Sequence, residues 1–442
     1  MNILFTGGSV VTMDPELGDL ARGDVLVSGE HIVAVGPDLR DHPQARGAEI
    51  VDTTGRIVSP GFVDTHRHAW QAQLRRSIPD VTDLGAYVTS TLARIAPAYR
   101  AHDVYVGTRL AALSALDAGI TTMLDFSHNS RSAAHSDAAI QALVDTGIRG
   151  VHASMAPHFG DWDQQWPQDV QRLHAAHSSG LVTVRLATLA TSEIAGPLHA
   201  YAPRLAAFAR ELGIGVSVDA VFGMSSSAAI LDWAKDGLLG PHVTLIHATG
   251  LTVEAWRAIG DTGTTVSLAP TSDAQIGLET AIPAIDEALA AGVRPGLSID
   301  VEVALASDMF TQMRALHAIQ RMRAVNRAYG TDAIPNRITT RDVLDFATLQ
   351  GARTNGLDSI TGSLTPGKQA DLLVVNATDV NTMPLNDAVG TLVLGADPRN
   401  IETVLVAGVI RKSGGRLVGV DAAQLHEQVV ASRDAILATA AS

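Results

Sequence analysis

Two histidines with one residue between them, His66 and His68, end the stretch Pro60-Gly61-Phe62-Val63-Asp64-Thr65-His66-Arg67-His68. A β-strand sends alternate side chains to opposite faces, so this spacing points both imidazoles the same way. Side by side at a strand end, they supply half of a site for a divalent metal. Three more residues fit that chemistry: Asp219, His247 and Asp300 each stand at the end of an apolar, strand-like run. Such runs ordinarily give way to loop residues, not repeatedly to His or Asp. The five residues therefore read as one site.

The elements that must bring them together are visible in the same sequence. From residue 59 onward, apolar strands alternate with Ala-rich helices such as 110–117. After the strand carrying His66 come strand candidates at 119–126, 148–152, 181–186, 214–219, 243–247, 264–268 and 295–300. Eight strands separated by helices over roughly 250 residues predict an α/β fold, a (β/α)8 barrel. Barrel sites lie at the C-terminal ends of the strands, where these residues fall. Before the barrel, short strands are expected at 9–13, 24–28, 31–35 and 55–58, with Gly29-Glu30 at a hairpin turn. After it, strands within 364–375 and 404–410 return to the first set, and Gly414-Gly415 marks a turn. The expected organisation is a small β-sandwich-like domain from both termini (1–58 plus 366–420), a barrel at 59–365 and a C-terminal helix at 421–442.

Composition narrows the partners. A chain of 442 residues with 46% hydrophobic content buries a sizeable core. Its net charge of −14, with no basic run, argues against nucleic acid. Without cysteine there are no disulfides or thiolate ligands, so His, Asp, Glu or Lys must hold any metal. The start Met1-Asn2-Ile3-Leu4-Phe5 shows neither a basic leader nor a membrane-spanning run. These features predict a cytoplasmic protein with no membrane partner.

As a set, the motifs resemble the amidohydrolase superfamily, in its branch of atrazine chlorohydrolase and the cytosine and guanine deaminases. The resemblance spans essentially the whole chain. It is carried by the stretch from Pro60 to His68, by Gly119-Ile120-Thr121-Thr122, and by Leu245-Ile246-His247-Ala248. It continues in Val266-Ser267-Leu268-Ala269-Pro270-Thr271-Ser272, in the run from Gly292 to Asp300, and in Pro366-Gly367-Lys368-Gln369-Ala370-Asp371-Leu372. It implies one divalent metal, zinc before iron or manganese, on the strand 1 histidines His66 and His68 and the strand 8 aspartate Asp300. It implies that His247 orients the water or the substrate and that Asp300 moves the proton. A metal beside an aspartate makes chemical sense, since the cation lowers the pKa of water and the carboxylate takes the proton released. A homodimer or larger homo-oligomer is also implied.

Strand 5 departs from the family pattern. Asp219 takes the place of the expected histidine, and Phe222 the place of the deaminases' proton-shuttling glutamate. In one alternative, Asp219 is itself a ligand, and the site hydrolyses a C–N or C–X bond in a small, heterocyclic molecule. In another, the metal is altered or absent, Asp219 and Asp300 act as acid and base, and the reaction is an elimination, isomerisation or cyclisation. In a third, the barrel binds a small molecule without turning it over. The first is the expectation carried forward. Trp70, Gln71, Phe222 and Asp273 are the candidate substrate contacts, with packing under a loop as the other role for Trp70 and a helix cap for Asp273. Glu302 lies close enough to Asp300 to support it. His128 and His158 follow strands 2 and 3, where each either faces the pocket or, as a lone loop histidine usually is, stays solvated; His174, His177 and His199 are expected at the surface. Phe159, Trp162 and Trp166 form an aromatic lid or a satellite core.

Overall fold

The computed structural model describes every residue except Met1, Ser178, Ser179, Glu279, Ala281 and Ser442. Among the described residues, eight parallel strands lie side by side in chain order. They are Phe62–Arg67, Ile120–Ser127, Arg149–Ser154, Val182–Leu189, Val216–Ala220, Val243–His247, Thr265–Leu268 and Gly296–Leu297. Nearly every strand residue is buried, as a parallel sheet covered on both faces requires. Helices on the outside complete the (β/α)8 barrel.

The eighth strand is the one that departs most from its expected span. It stops at Leu297, because the chain turns out of the extended region to Asp300 at φ +65. The barrel is closed there by individual bonds instead of a ladder. Asp300 N donates to His66 O at 2.9 Å, and His68 N donates to Asp300 O at 3.1 Å. Ile299 N donates to Asp64 Oδ1 at 3.1 Å. The seam of the barrel thus runs through three of the residues expected to hold metal.

A second sheet, largely antiparallel, joins both ends of the chain. Arg56–Pro60 pairs in parallel with Asn2–Val10 on one side and antiparallel with Leu372–Asn376 on the other. Leu20–Ser28, His31–Gly36 and Glu49–Asp52 extend it from the N-terminal part, and Ile401–Val406, Val409–Ser413 and Arg416–Leu417 from the C-terminal part. The first strand occupies Asn2–Val10 instead of 9–13. Both its faces are covered, with Ile3 and Phe5 in one apolar cluster and Leu4 in another. It therefore lacks the apolar–polar alternation that marks a half-exposed strand, and Gly7-Gly8 interrupts it at a shift of register.

A further apolar cluster roofs the barrel mouth, with Leu74, Tyr87 and Leu92 from the segment after the first strand, Ile276 and Leu278 after the seventh, and Val301 after the eighth. The helix Ala422–Ala441 lies against the helix Ala101–Asp117 and braces this roof from outside, burying Ile436. No helix among the described residues is long and apolar enough to cross a membrane.

Candidate active site

The alternation of the first strand places its side chains as expected. His66 and His68 face the barrel interior with ring centroids 4.6 Å apart. Arg67, between them, points the opposite way into the protein, where Asp64 takes its Nε at 2.7 Å and Glu302 its Nη1 at 3.1 Å. Glu302 also binds Arg75, so it supports the segment after the first strand and not Asp300 directly.

Asp300 is the hub. Its Oδ1 lies 3.1 Å from both His66 Nε2 and His68 Nε2. Its Oδ2 accepts the Ser272 hydroxyl and lies 3.8 Å from His247 Nε2. Burial alone would raise the Asp300 pKa, but the two histidine bonds and the charge of His247 outweigh it and hold the carboxyl well below its usual range. Burial pushes His66 down to about 3, so its ring is neutral and its nitrogens can act as ligands. His68 donates Nδ1–H to Phe126 O at 3.2 Å, which fixes the ring with Nε2 turned toward Asp300. His66, His247 and Asp300 offer ligand atoms all within 4.8 Å of one another.

His247 and Asp300 share an unusual backbone. Both sit at φ +65, in the left-handed region that costs a non-glycine residue on the order of 1 kcal/mol. The turn re-aims each side chain from the strand direction into the mouth. His247 Nδ1 is bound to Asp273 Oδ1 at 2.8 Å. Burial disfavours the charged ring, yet Asp273, Asp300 and Asp219 outweigh it and raise His247 to about 9.

Asp219 faces the same cavity as His68, His247 and Asp300. Its Oδ1 is buried and has no partner among the described residues. Burial raises its pKa, tempered by His247. The cavity is narrow, with about 480 Å³ of empty space counted out to its opening. The group close enough to share one cation is thus His66, His247 and Asp300, with His68 on Asp300 and Asp219 on the cavity wall.

The expected substrate contacts lie elsewhere, and none of them lines the cavity among the described residues. Trp70 is fully buried against Tyr99 and His128. Gln71 donates to Tyr87 Oη at 2.7 Å, and it is Tyr87 that reaches the cavity. Phe222 packs into the roof cluster, and its neighbour Val221 lines the wall. Asp273 is neither a free contact nor a cap: it braces His247 from behind. In each case the chain turns within one or two residues of the strand end, which swaps the side chain facing the mouth.

Ser272 was not anticipated at the site. His128 and His158 take the pocket-facing of their two expected positions: His128 is buried, His158 half-buried, and both line the cavity. Ser272, which holds Asp300, lies in a recognisable motif, but a serine carries no signal of its own. His199, expected at the surface, is buried and stacks on Trp166, with centroids 5.6 Å apart. Trp166 belongs to the main core, donating Nε1–H to Ser154 O at 3.2 Å, and so is no lid.

Comparison with known proteins places these features in a family. The amidohydrolase family profile matches residues 57–411. The 5-methylthioadenosine/S-adenosylhomocysteine deaminase of Symbiobacterium thermophilum is 29% identical over 432 residues, covering 92% of this chain and 93% of that one. The 5'-deoxyadenosine deaminase of Methanosarcina mazei is 23% identical, covering 99% of each. Among solved structures, a zinc-bound adenosine deaminase from Xanthomonas campestris aligns with a TM-score of 0.84 at 22% identity, covering 99% of this chain and 98% of that one. A zinc complex of the atrazine chlorohydrolase of Arthrobacter aurescens aligns with a TM-score of 0.83 at 21% identity, covering 98% and 100%. Both share the fold.

Proposed function

From the chain's membership of the amidohydrolase family, hydrolases of C–N bonds other than peptide bonds, we propose that it hydrolyses a C–N bond in a small heterocyclic molecule, with one divalent cation held by His66, His68, Asp219 and Asp300. The observation that carries this reading is the Asp219 carboxylate, whose buried Oδ1 lacks a partner among the described residues and lines the cavity of the other ligands. An unpaired buried carboxylate is costly, and a cation removes the cost. Two imidazoles and two carboxylates suit zinc, as they do iron or manganese. Zinc in the two fold neighbours supports zinc here. Bound there, the cation supplies Lewis acidity and lowers the pKa of water toward neutrality.

The chain's own groups handle the protons. Asp300 Oδ2, held by Ser272, takes the proton of the attacking water. His247, braced at Nδ1 by Asp273, presents Nε2–H to the cavity and donates to the departing nitrogen. With Phe222 in the glutamate's place, both transfers fall to this pair. The deaminase names of the relatives support amine release as the C–N cleavage. A homo-oligomer belongs to the same reading, supported by the exposed Met322, Val325 and Tyr329, which line one surface groove; light scattering tests it.

Elemental analysis of freshly purified protein tests the metal centre. About one zinc per chain, lost in both His66→Ala and Asp219→Ala, is expected. Metal retained in Asp219→Ala removes Asp219 from the ligand set. No metal in the parent protein, with activity indifferent to chelators, overturns the metallohydrolase and leaves acid–base chemistry by Asp219, His247 and Asp300.

A further inference from the structure

Above the charged floor, the cavity is almost wholly apolar. Leu84, Val88, Leu92, Ile276, Leu278 and Val301 form much of its wall. Among the described lining residues there is no arginine, lysine, glutamate, side-chain amide or aliphatic hydroxyl. The nearby cations are committed elsewhere. Arg131 donates to the carbonyls of Ala96, Phe159 and Asp161. Arg67 and Arg75 are held by Glu302. A carboxylate or phosphate on a substrate would meet no counter-charge away from the metal centre. A sugar's vicinal hydroxyls would be buried against aliphatic carbon, which costs a few kcal/mol for each unpaired polar group.

One polar subsite interrupts this wall. His128 and His158 lie together with ring centroids 4.8 Å apart, and both line the cavity. The Nδ1 and Nε2 atoms of His158 are both buried without a hydrogen-bond partner among the described residues. Two orphaned ring nitrogens in a native site call for an explanation, and a ligand provides one. Burial, reinforced by His199 and His68, pushes His158 to about 3, so the ring is neutral and offers one N–H and one lone pair. The edge of an aminated nitrogen heterocycle offers the complement, a ring nitrogen lone pair beside an N–H. Tyr87 Oη accepts from Gln71, which leaves the phenol's own proton free to donate into the cavity.

Building on the hydrolytic reading above, we propose that this cavity takes an uncharged, flat N-heteroaromatic amine bearing only apolar substituents, with its ring edge read by His158 beside His128, and that it discriminates against nucleosides. The reaction balances with water alone. The water oxygen forms a C–O bond to the ring carbon, and the C–N bond to the exocyclic nitrogen breaks. One water proton leaves on the amine, and the other stays with the hydroxylated heterocycle or its keto tautomer.

The test uses zinc-loaded full-length protein and two readouts, calorimetric binding and amine release. The probes are 9-ethyladenine and an N-alkylated aminotriazine, set against adenosine and 5'-deoxyadenosine. The pair 9-ethyladenine and adenosine isolates the sugar. The alkylated heteroarenes are expected to bind at least about tenfold more tightly than either nucleoside, because the sugar's hydroxyls go unpaired. His158→Phe is expected to raise their Kd and KM about tenfold with a smaller change in kcat, and His158→Gln, which keeps a donor and an acceptor, to restore most of the loss. Nucleosides bound as tightly as 9-ethyladenine, no binding by any probe, or an unchanged Kd in His158→Phe would each overturn the proposal. Selective heteroarene binding without amine release would uphold the substrate class and sink the hydrolytic reading. Release of ammonia from adenosine in preference to the heteroarenes would do the reverse.

Discussion

The two ends of the barrel bury charge in opposite ways. At the base, Arg149 opens the third strand and grips both oxygens of Asp371, through Nε at 2.7 Å and Nη2 at 3.0 Å, and the same Nη2 donates to Gln369 Oε1 at 2.6 Å. Asp371 Oδ1 also accepts Ala407 N at 2.7 Å. This pair ties the barrel to the terminal sheet. At the mouth, Asp219 Oδ1, Asp273 Oδ2 and both nitrogens of His158 are buried without partners among the described residues. Around Arg149 the buried charge is paired within the chain, whereas around Asp219 it is left incomplete, as expected where a group from outside completes the site.

The widest gap between the two ends should appear on removing the metal. Chelation, or His66→Ala, is expected to lower kcat/KM by about a thousandfold or more, since both water activation and charge stabilisation at the mouth are lost. Thermal unfolding of the His66→Ala protein should stay cooperative, because the base is untouched. Asp371→Ala is the mirror experiment. It leaves the buried Arg149 guanidinium unpaired, which costs about 3–5 kcal/mol, while the metal content and kcat of the folded fraction are retained. A metal loss in Asp371→Ala comparable to that in His66→Ala would erase the distinction between the ends.

The same contrast explains what the sequence revealed. The barrel was legible because parallel strands covered on both faces are continuous apolar runs, and the candidate metal ligands because they end those runs. Strand ends were the limit. Asp300 leaves the strand at φ +65, and the residues after the first and seventh strands turn within a residue or two. Trp70, Gln71 and Asp273 therefore fall behind the cavity wall, where Tyr87, His128 and His158 take their place. His128 and His158 come from loops and Tyr87 from the short helix Leu84–Tyr87, and the placing of all three depends on tertiary packing, which periodicity does not encode. Phe222 misses the cavity by one residue for the same reason.

Asp273→Asn probes the mouth at intermediate size. The amide can still accept from His247 Nδ1, but it removes the charge that helps hold His247 near 9. A fall in kcat of about ten- to a hundredfold is expected, with metal content kept. Asp219→Asn in the chelated protein should move stability the other way from Asp371→Ala. Burial raises the Asp219 pKa, so the folded state holds that proton more tightly than the unfolded chain. Ionisation at neutral pH then opposes folding, and its cost grows as pH rises through the folded value. The neutral amide is expected to raise the melting temperature of the chelated protein at pH 7; a lower one would mean that Asp219 is paired after all.

The smallest effect decides whether pairing or position matters. Asp103 is a buried carboxylate on the mouth side, yet it is fully engaged. Arg100 binds it through Nε at 2.7 Å and Nη2 at 3.0 Å, and Ser432 of the C-terminal helix donates to Oδ1 at 2.7 Å. Burial would raise its pKa, but these bonds outweigh it and hold it below its ordinary value. For a carboxylate depressed in this way, the stabilisation is present above the unfolded pKa and lost as pH falls through the folded one. Ser432→Ala is expected to cost about 1 kcal/mol at neutral pH and to leave kcat/KM nearly unchanged. It should also shrink the acid-induced loss of stability below about pH 4, where the unfolded carboxylate begins to protonate. If pairing is the rule, Ser432→Ala is a small copy of Asp371→Ala. If proximity to the mouth is the rule, the same substitution lowers metal occupancy or kcat, and the contrast between the two ends reduces to one of distance from the cavity.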